Sequence, residues 1–367
     1  MKKTTATERK PAQISFAQKR MRNLIKVING ASLRLLGLSD PENSRLGKLA
    51  RKLPRPRKSA KGPDGLKRSK GLKSKYIDLS QFNLDPFIER KMVTRSFRIF
   101  GRIISGVIKS RRDYRKELAS PSRPPKPAPR EFWNEVIARA ESLGIGLVGF
   151  APVNENLIFT SDFVGKMNRL YANGIVLGME MDFTAIDSAP GPEAGLEAMR
   201  IYAELGVATN RLADFIRSRG YRAIACHPLG GPILYPAMAV RAGLGEMGRS
   251  GLLITKRYGP RQRLSLVSTD ASPLPETAPP KLGISEYCDQ CRKCVSACPA
   301  GAVLKEPVAK ENGIITRIDQ DKCIGYFYEA MGCSICLKVC PFHQRGYDRV
   351  IKTRENSPIE STTTKKK

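Results

Sequence analysis

Eight of the chain's nine cysteines fall in two blocks whose spacing suits iron–sulfur chemistry. The first, Cys288, Cys291, Cys294 and Cys298 followed by Pro299, reads CxxCxxCxxxCP. The second, Cys323, Cys333, Cys336 and Cys340 followed by Pro341, repeats the closing CxxCxxxCP with its leading cysteine set farther upstream. A [4Fe–4S] cube needs four soft thiolates; closely spaced cysteines on a tight loop reach three irons, and the fourth ligand comes from elsewhere. In two-cluster ferredoxins the last cysteine of each block crosses to the other cluster. The expected sets are therefore Cys288, Cys291, Cys294 and Cys340 for one cluster, and Cys298, Cys323, Cys333 and Cys336 for the other. Disulfides, structural zinc and buried free thiols are the alternatives. Zinc sites pair two CxxC units without a third cysteine at the same short spacing, and disulfides call for an export signal, of which the sequence gives no sign.

The elements that must position these ligands are unevenly charged. Of 367 residues with a net charge of +30, residues 1–130 hold 35 Lys and Arg against 9 Asp and Glu, or +26, and residues 131–367 hold 29 against 25, or +4. The positive charge thus belongs to an N-terminal extension. Within it, residues 51–75 are rich in Lys, Arg, Pro, Gly and Ser and too poor in apolar groups to offset ordering entropy, the pattern of a disordered basic linker. On either side lie candidate basic amphipathic helices, residues 16–38 and the segment SFRIFGRIISGVIKSRR, where Phe97, Phe100, Ile103, Ile104, Val107 and Ile108 recur at helical spacing. Such helices pack on the protein's own core, lie on an anionic membrane surface, or bind nucleic acid. Phosphate binding does not require their apolar faces, so nucleic acid is the least expected partner. No run of eighteen apolar residues occurs, and the SRRDY string at Ser110–Tyr114 lacks the hydrophobic stretch of an export signal. The expected location is the cytoplasm, with peripheral contact at the inner membrane face as a candidate role for the extension.

From residue 131 the pattern becomes one of alternating elements. It predicts a helix near Phe132–Leu143, strands at IGLVGF and GIVLGMEMD, and a long helix from about Glu193 to Ser218 stopped at Gly220. A strand at Arg222–Cys226, a short helix near Tyr235–Ala242 and the strand RLSLVSTD complete an α+β domain. The expected division is 1–130 extension, 131–280 α+β core, 281–346 ferredoxin-type domain and 347–367 disordered tail. In residues 242–270, Gly243, Gly245, Gly248 and Gly251 let backbone pass close to a bulky group, with Arg249, Arg261 and Arg263 supplying fixed positive charge; a purely structural loop is the alternative. Cys226 and His227 are neighbours on a strand and so point to opposite faces, which favours a buried thiol beside a structural histidine over a nucleophile or metal ligand.

The string GLGEMGRSGLLITKRYGPRQRL, then STD, then the two cysteine blocks, resembles the corrinoid-dependent reductive dehalogenases, with the epoxyqueuosine reductases as close relatives. The resemblance covers roughly residues 131–345 and, faintly, the stretch DLSQFNLDPFIERKMVTRSF. It implies a nitroreductase-like corrinoid-binding core joined to a two-cluster ferredoxin-like domain, with electrons passing from a low-potential ferredoxin- or flavodoxin-type donor through two [4Fe–4S] clusters to cobalamin for reductive cleavage of a small-molecule substrate. By motif order, Tyr202 matches the family's tyrosine proton donor and Arg261 the arginine that assists it, while Gly243, Gly245, Gly248, Arg249 and Gly251 become the cofactor-binding residues. A core tyrosine bonded to backbone, and a surface ion-pairing arginine, are the competing readings of Tyr202 and Arg261. Epoxyqueuosine reductases carry an acidic proton donor shortly before their corresponding glycine segment. Here HPLGGPILYPAMAVRAGLGEMGRS holds no acid until Glu246, which weakens a tRNA-modifying role. A two-cluster electron-transfer protein without corrinoid is the remaining alternative.

Overall fold

The computed structural model describes residues 66–68, 93–121, 124, 126–160, 167–309, 314–330 and 332–355. The candidate helix at 16–38, most of the basic linker and the side chain of Phe97 lie outside the described residues. In chain order the elements are β1 (Leu66–Arg68), α1 (Val93–Ala119), α2 (Arg130–Ser142), β2 (Leu147–Pro152), β3 (Arg169–Tyr171), β4 (Asn173–Glu180), α3 (Phe183–Asp187) and α4 (Pro192–Ser218). Then come β5 (Ala223–Cys226), α5 (Tyr235–Arg241), β6 (Glu246–Met247), β7 (Leu253–Ile254) and β8 (Gln262–Thr269). The cysteine-rich part holds α6 (Ile284–Cys291), α7 (Lys293–Ser296), β9 (Val303–Ala309), β10 (Ile315–Ile318), α8 (Gln320–Glu329), α9 (Ile335–Lys338), α10 (Pro341–Gln344) and α11 (Tyr347–Glu355).

A four-stranded sheet in the order β2-β4-β8-β5, antiparallel at every pairing, forms the centre of an α+β core. Its strands are apolar on both faces, and the period-two alternation divides them between two clusters. Ile175, Leu177, Ala223, Ala225 and Val267 face α2 and α4, whereas Val176, Ile224, Cys226, Leu264 and Leu266 face α5 and β3. Helix α4 begins with Pro192 at its first position and ends before Gly220, whose φ of 86° is the left-handed conformation that halts a helix.

Helix α1 departs from the expected division at residue 130, because it packs against α4 and β5 as part of the core. Its buried line is Ile99, Ile103, Val107, Ser110, Tyr114 and Glu117, at helical spacing, while Ile108 is 49% exposed. Ser110 donates to Asn210 Oδ1 at 2.9 Å and Asn210 Nδ2 donates to the Gly106 carbonyl at 2.9 Å, fixing the two helices in register. The apolar face thus covers the protein's own core, the first of the three uses expected of this helix. None of the described helices is long and apolar enough to cross a bilayer.

Two further expectations are corrected. Leu66–Arg68, inside the expected disordered linker, pairs antiparallel with Tyr171–Arg169, an edge whose backbone groups require partners. The tail begins as helix α11, because Val350 is buried and the Tyr347 hydroxyl donates to the Leu282 carbonyl at 2.9 Å.

Candidate iron–sulfur centre and reductive site

The two cysteine repeats have matching backbones. Arg292 and Ser334 each follow the first cysteine of a CxxCxxxCP unit, and they are the two non-glycine residues with positive φ among those described, at 45° and 51°. From each a short helix starts with the same bonds: Val295 and Leu337 N–H donate to the Arg292 and Ser334 carbonyls at 2.9 and 3.0 Å, and Ala297 and Val339 N–H to Lys293 and Ile335 at 3.0 Å. A left-handed residue costs about 1–2 kcal/mol outside glycine, and here it reverses the chain so that both cysteines of the CxxC turn to one side.

Cys288, Cys291, Cys294 and Cys340 line one cavity with Arg249, Ile254, Tyr287 and Phe342, so the second block's last cysteine does reach across to the first. The remaining four feel one another electrostatically: Cys323 with Cys333 and Cys298, and Cys336 with all three. Cys323, long separated in sequence, is therefore brought to its expected partners. Cys336 also lines the first cavity and senses Cys294, standing between the two sets. All nine cysteines are free thiols, and among the described residues no three His, Cys, Asp or Glu side chains converge on a single ion as zinc ligands would.

Burial is the largest influence on these thiols. It pushes Cys288 up to about 11 and Cys340 to about 12, with Cys294, Cys323, Cys333 and Cys336 also raised. Opposing it are backbone N–H groups aimed at sulfur, from Arg249 to Cys288, Ile335 to Cys333, Phe342 and His343 to Cys340, and Ala302 to Cys298 at 3.2 Å. N–H donors that lower a thiol against its burial suit sulfur ligated to a metal, where the ion supplies the missing positive charge. The residues present therefore fit an iron–sulfur group.

The cysteine-rich part is anchored by groups that sequence reasoning missed. Glu246 accepts from the backbone N–H groups of Leu282, Ile284 at 2.9 Å and Ser285 at 3.0 Å, satisfying the open donors at the start of α6, which carries Cys288 and Cys291. A carboxylate placed 36 to 39 residues from its partners leaves no local capping signature to read. Beside Cys333, Gly332 lies so close to Gly195 of α4 that a Cβ on it would come 2.5 Å from the Gly195 Cα.

Most of the predicted cofactor glycines stand close to neighbouring chain. A Cβ on Gly245 would lie 2.2 Å from the Ile254 carbonyl, on Gly248 2.6 Å from the Ile254 side chain, and on Gly243 3.0 Å from the Ala278 carbonyl. Gly243 and Gly251 both have φ near 75°. Gly245 and Gly248 thus pack the β6–β7 turn against Ile254, while Gly243 meets Ala278 and Gly251 leaves ordinary contact distance to Arg317 and Ile318. Arg249, in the same turn, faces the cysteine cavity instead.

Tyr202 is half-buried on α4 at the edge of an apolar cluster formed by Ile99, Ile103, Leu196, Met199 and Leu229. Its hydroxyl has no hydrogen-bond partner among the described residues, so it is not the backbone-tied core tyrosine of the competing reading. The guanidinium over its ring, at 4.9 Å, belongs to Arg263. Arg261 instead pairs with Glu180, stands 3.5 Å from His343 Nδ1 and lies over Phe183 at 5.4 Å. Residues two apart on a strand share a face, so this alternation could have pointed from Arg261 to Arg263. The buried Nε atoms of both arginines lack partners among the described residues. Phe327 edges the same cluster as Tyr202 and sits one helical turn from Cys323 on α8, linking the second cysteine set to Tyr202.

Residues 287–344 match the family described as 4Fe-4S dicluster domain. The tetrachloroethene reductive dehalogenase of Desulfitobacterium hafniense is 37% identical over 183 residues, covering 46% of this chain and 33% of that protein. The enzyme of the same name from Sulfurospirillum multivorans is 35% identical over 180 residues, covering 46% and 35%. An epoxyqueuosine reductase of Atelocyanobacterium thalassa (isolate ALOHA) is 30% identical over 149 residues, covering 36% and 44%. Among solved structures, the catabolic reductive dehalogenase NpRdhA shares the fold with a TM-score of 0.53 at 22% identity, over 60% of this chain and 34% of that one. The match spans about a third of the length of the dehalogenases. Over its α+β core and the segment matching the 4Fe-4S dicluster domain, which Glu246 and Gly332 anchor to that core, the chain is similar to part of the reductive dehalogenases and of the epoxyqueuosine reductases.

Proposed function

We propose that the chain is an iron–sulfur oxidoreductase of reductive-dehalogenase type, with two [4Fe–4S] clusters and a corrinoid, acting on a halogenated small molecule. The observation that carries this reading is the apolar cluster shared by Tyr202 and Phe327, which joins the second cysteine set to a phenol under a guanidinium. Cys288, Cys291, Cys294 and Cys340 would hold the cluster that receives electrons from a low-potential donor, and Cys298, Cys323, Cys333 and Cys336 the one that passes them on. A bound corrinoid supplies a strongly reducing, nucleophilic metal centre for cleaving the carbon–halogen bond.

The chain's own residues do the rest. The unpartnered Nε–H groups of Arg261 and Arg263 are donors fitted to an acceptor-rich group, and the fit lies on this face of β8, away from the closed glycine turn. Tyr202 holds the proton delivered to the carbon that loses halide, with the Arg263 guanidinium over its ring. The acid nearest the glycine segment, Glu246, is engaged by three backbone N–H groups, which disfavours an epoxyqueuosine reductase chemistry that needs a free acid there.

A corrinoid-free electron carrier is the second reading, favoured by the glycine turn closing on its own chain. Anaerobic reconstitution, iron and cobalt analysis and an optical titration with cobalamin separate the two. About eight irons with stoichiometric cobalamin, and halide release from a chloroethene under an artificial reductant, support the enzyme. About eight irons with no saturable cobalamin binding would leave the electron carrier.

A further inference from the structure

Arg249 is the charged residue of the glycine-rich segment that lines the cysteine cavity. Its side chain is 3% exposed and lines the cavity of Cys288, Cys291, Cys294 and Cys340. Its carboxylate partners, Asp289 at 3.1 Å and Glu306 at 3.5 Å, are 60% and 67% exposed, so solvent screens much of what they offer. Its Nε is buried without a hydrogen-bond acceptor among the described residues, and its Nη1 has only the long 3.5 Å approach to exposed Glu306. A buried guanidinium with one donor unanswered and another held only at long range by an exposed carboxylate is costly as a purely structural ion pair. An anionic cluster bearing thiolate and sulfide acceptors would answer both the charge and the donors.

We propose that Arg249 is a potential-setting residue for the cluster held by Cys288, Cys291, Cys294 and Cys340, donating from Nε–H and Nη1–H to cluster sulfur. The inference rests on the iron–sulfur reading of these cysteines. A four-thiolate [4Fe–4S] centre carries one more negative charge when reduced, so a fixed positive neighbour and N–H···S bonds favour the reduced form and raise the potential. Arg249 makes this the more easily reduced cluster, the one suited to accept the electron first. Exposed Arg292, paired with Glu306 at 2.7 Å, lacks the burial to do the same.

The test is a mediator titration of anaerobically reconstituted full-length protein, followed by electron paramagnetic resonance, on the wild type, Arg249→Gln and Arg249→Lys. Iron content of the wild type is measured first, and a wild type that takes up no iron sinks the cluster reading itself before any potential is recorded. With iron in place, Arg249→Gln is expected to lower the reduction equilibrium of one cluster by about tenfold or more, about 59 mV for one electron, leaving the other unchanged. Arg249→Lys keeps the charge but loses the fork, and is expected to shift the same cluster by a smaller amount. Two unchanged potentials in a fully loaded Arg249→Gln protein overturn the proposal. Where Arg249→Gln fails to load, wild-type potentials in Arg249→Lys overturn it equally.

Discussion

Lowering the pH from 7 to 5 is expected to loosen the crossing of α1 and α4 through one imidazole. His227 is wedged between Gly106 and Gly206, the glycines where these helices approach, and its Nδ1 lies 3.1 Å from the Leu229 N–H, which donates to it. Burial holds the ring neutral down to about 4, against about 6.5 in an unfolded chain. Because the folded value is depressed, the unfolded state takes up the proton first. The stability that the neutral ring confers is present above about 6.5 and drains away as the pH falls toward 4. At pH 5 the unfolded imidazole is almost fully protonated and the folded one about a tenth, a loss of about 2 kcal/mol relative to pH 7. The chain has two histidines, so 15N-histidine labelling resolves His227 directly, and hydrogen exchange of the Leu205–Leu212 amides reads the stability. His227→Gln is expected to flatten the pH dependence by the same amount. A midpoint near 6.5 for His227, or equal pH slopes in the two proteins, would refute the reasoning.

Gly206→Ala places a Cβ 2.1 Å from His227 Nε2 and is expected to cost about 1–3 kcal/mol, measured as a lower urea midpoint. Cys340→Ser is expected to remove the spectroscopic signal of the cluster served by Cys288, Cys291 and Cys294, and Cys298→Ser that of the other; loss of one and the same signal in both variants would contradict the crossed sets. Tyr202→Phe, with iron and cobalamin content unchanged, is expected to lower turnover by about 10²-fold or more, read as halide release. In the iron-free protein, Cys288 and Cys340 stay protonated to about 11 and about 12 while unfolded thiols ionise near 9, so stability is expected to fall as pH rises through that window, seen in denaturation midpoints.

The cysteine sets were legible because ligand spacing is a local property, and even distant Cys323 followed from the repeat. The sheet and α4 were legible for a similar reason: their periodicity and their Pro and Gly boundaries are written within each segment. What escaped depends on contacts distant in sequence. Glycines read as space for a cofactor are filled by Ile254 and Ala278. The guanidinium over Tyr202 is that of Arg263, a choice made by strand register. The apolar side of α1 reads alike for a core helix and a membrane-surface helix, and only its packing on α4 decides. Glu246 carries no sign of the helix start it caps, because that start is built from residues 282–285.

The exchange of Cys340 into the first block's cavity has a consequence for biogenesis. If both cysteine sets hold a cluster, each cluster draws ligands from both halves of the repeat, so neither half is an autonomous folding unit and a chain emerging from the ribosome can finish no centre before residue 336 is clear.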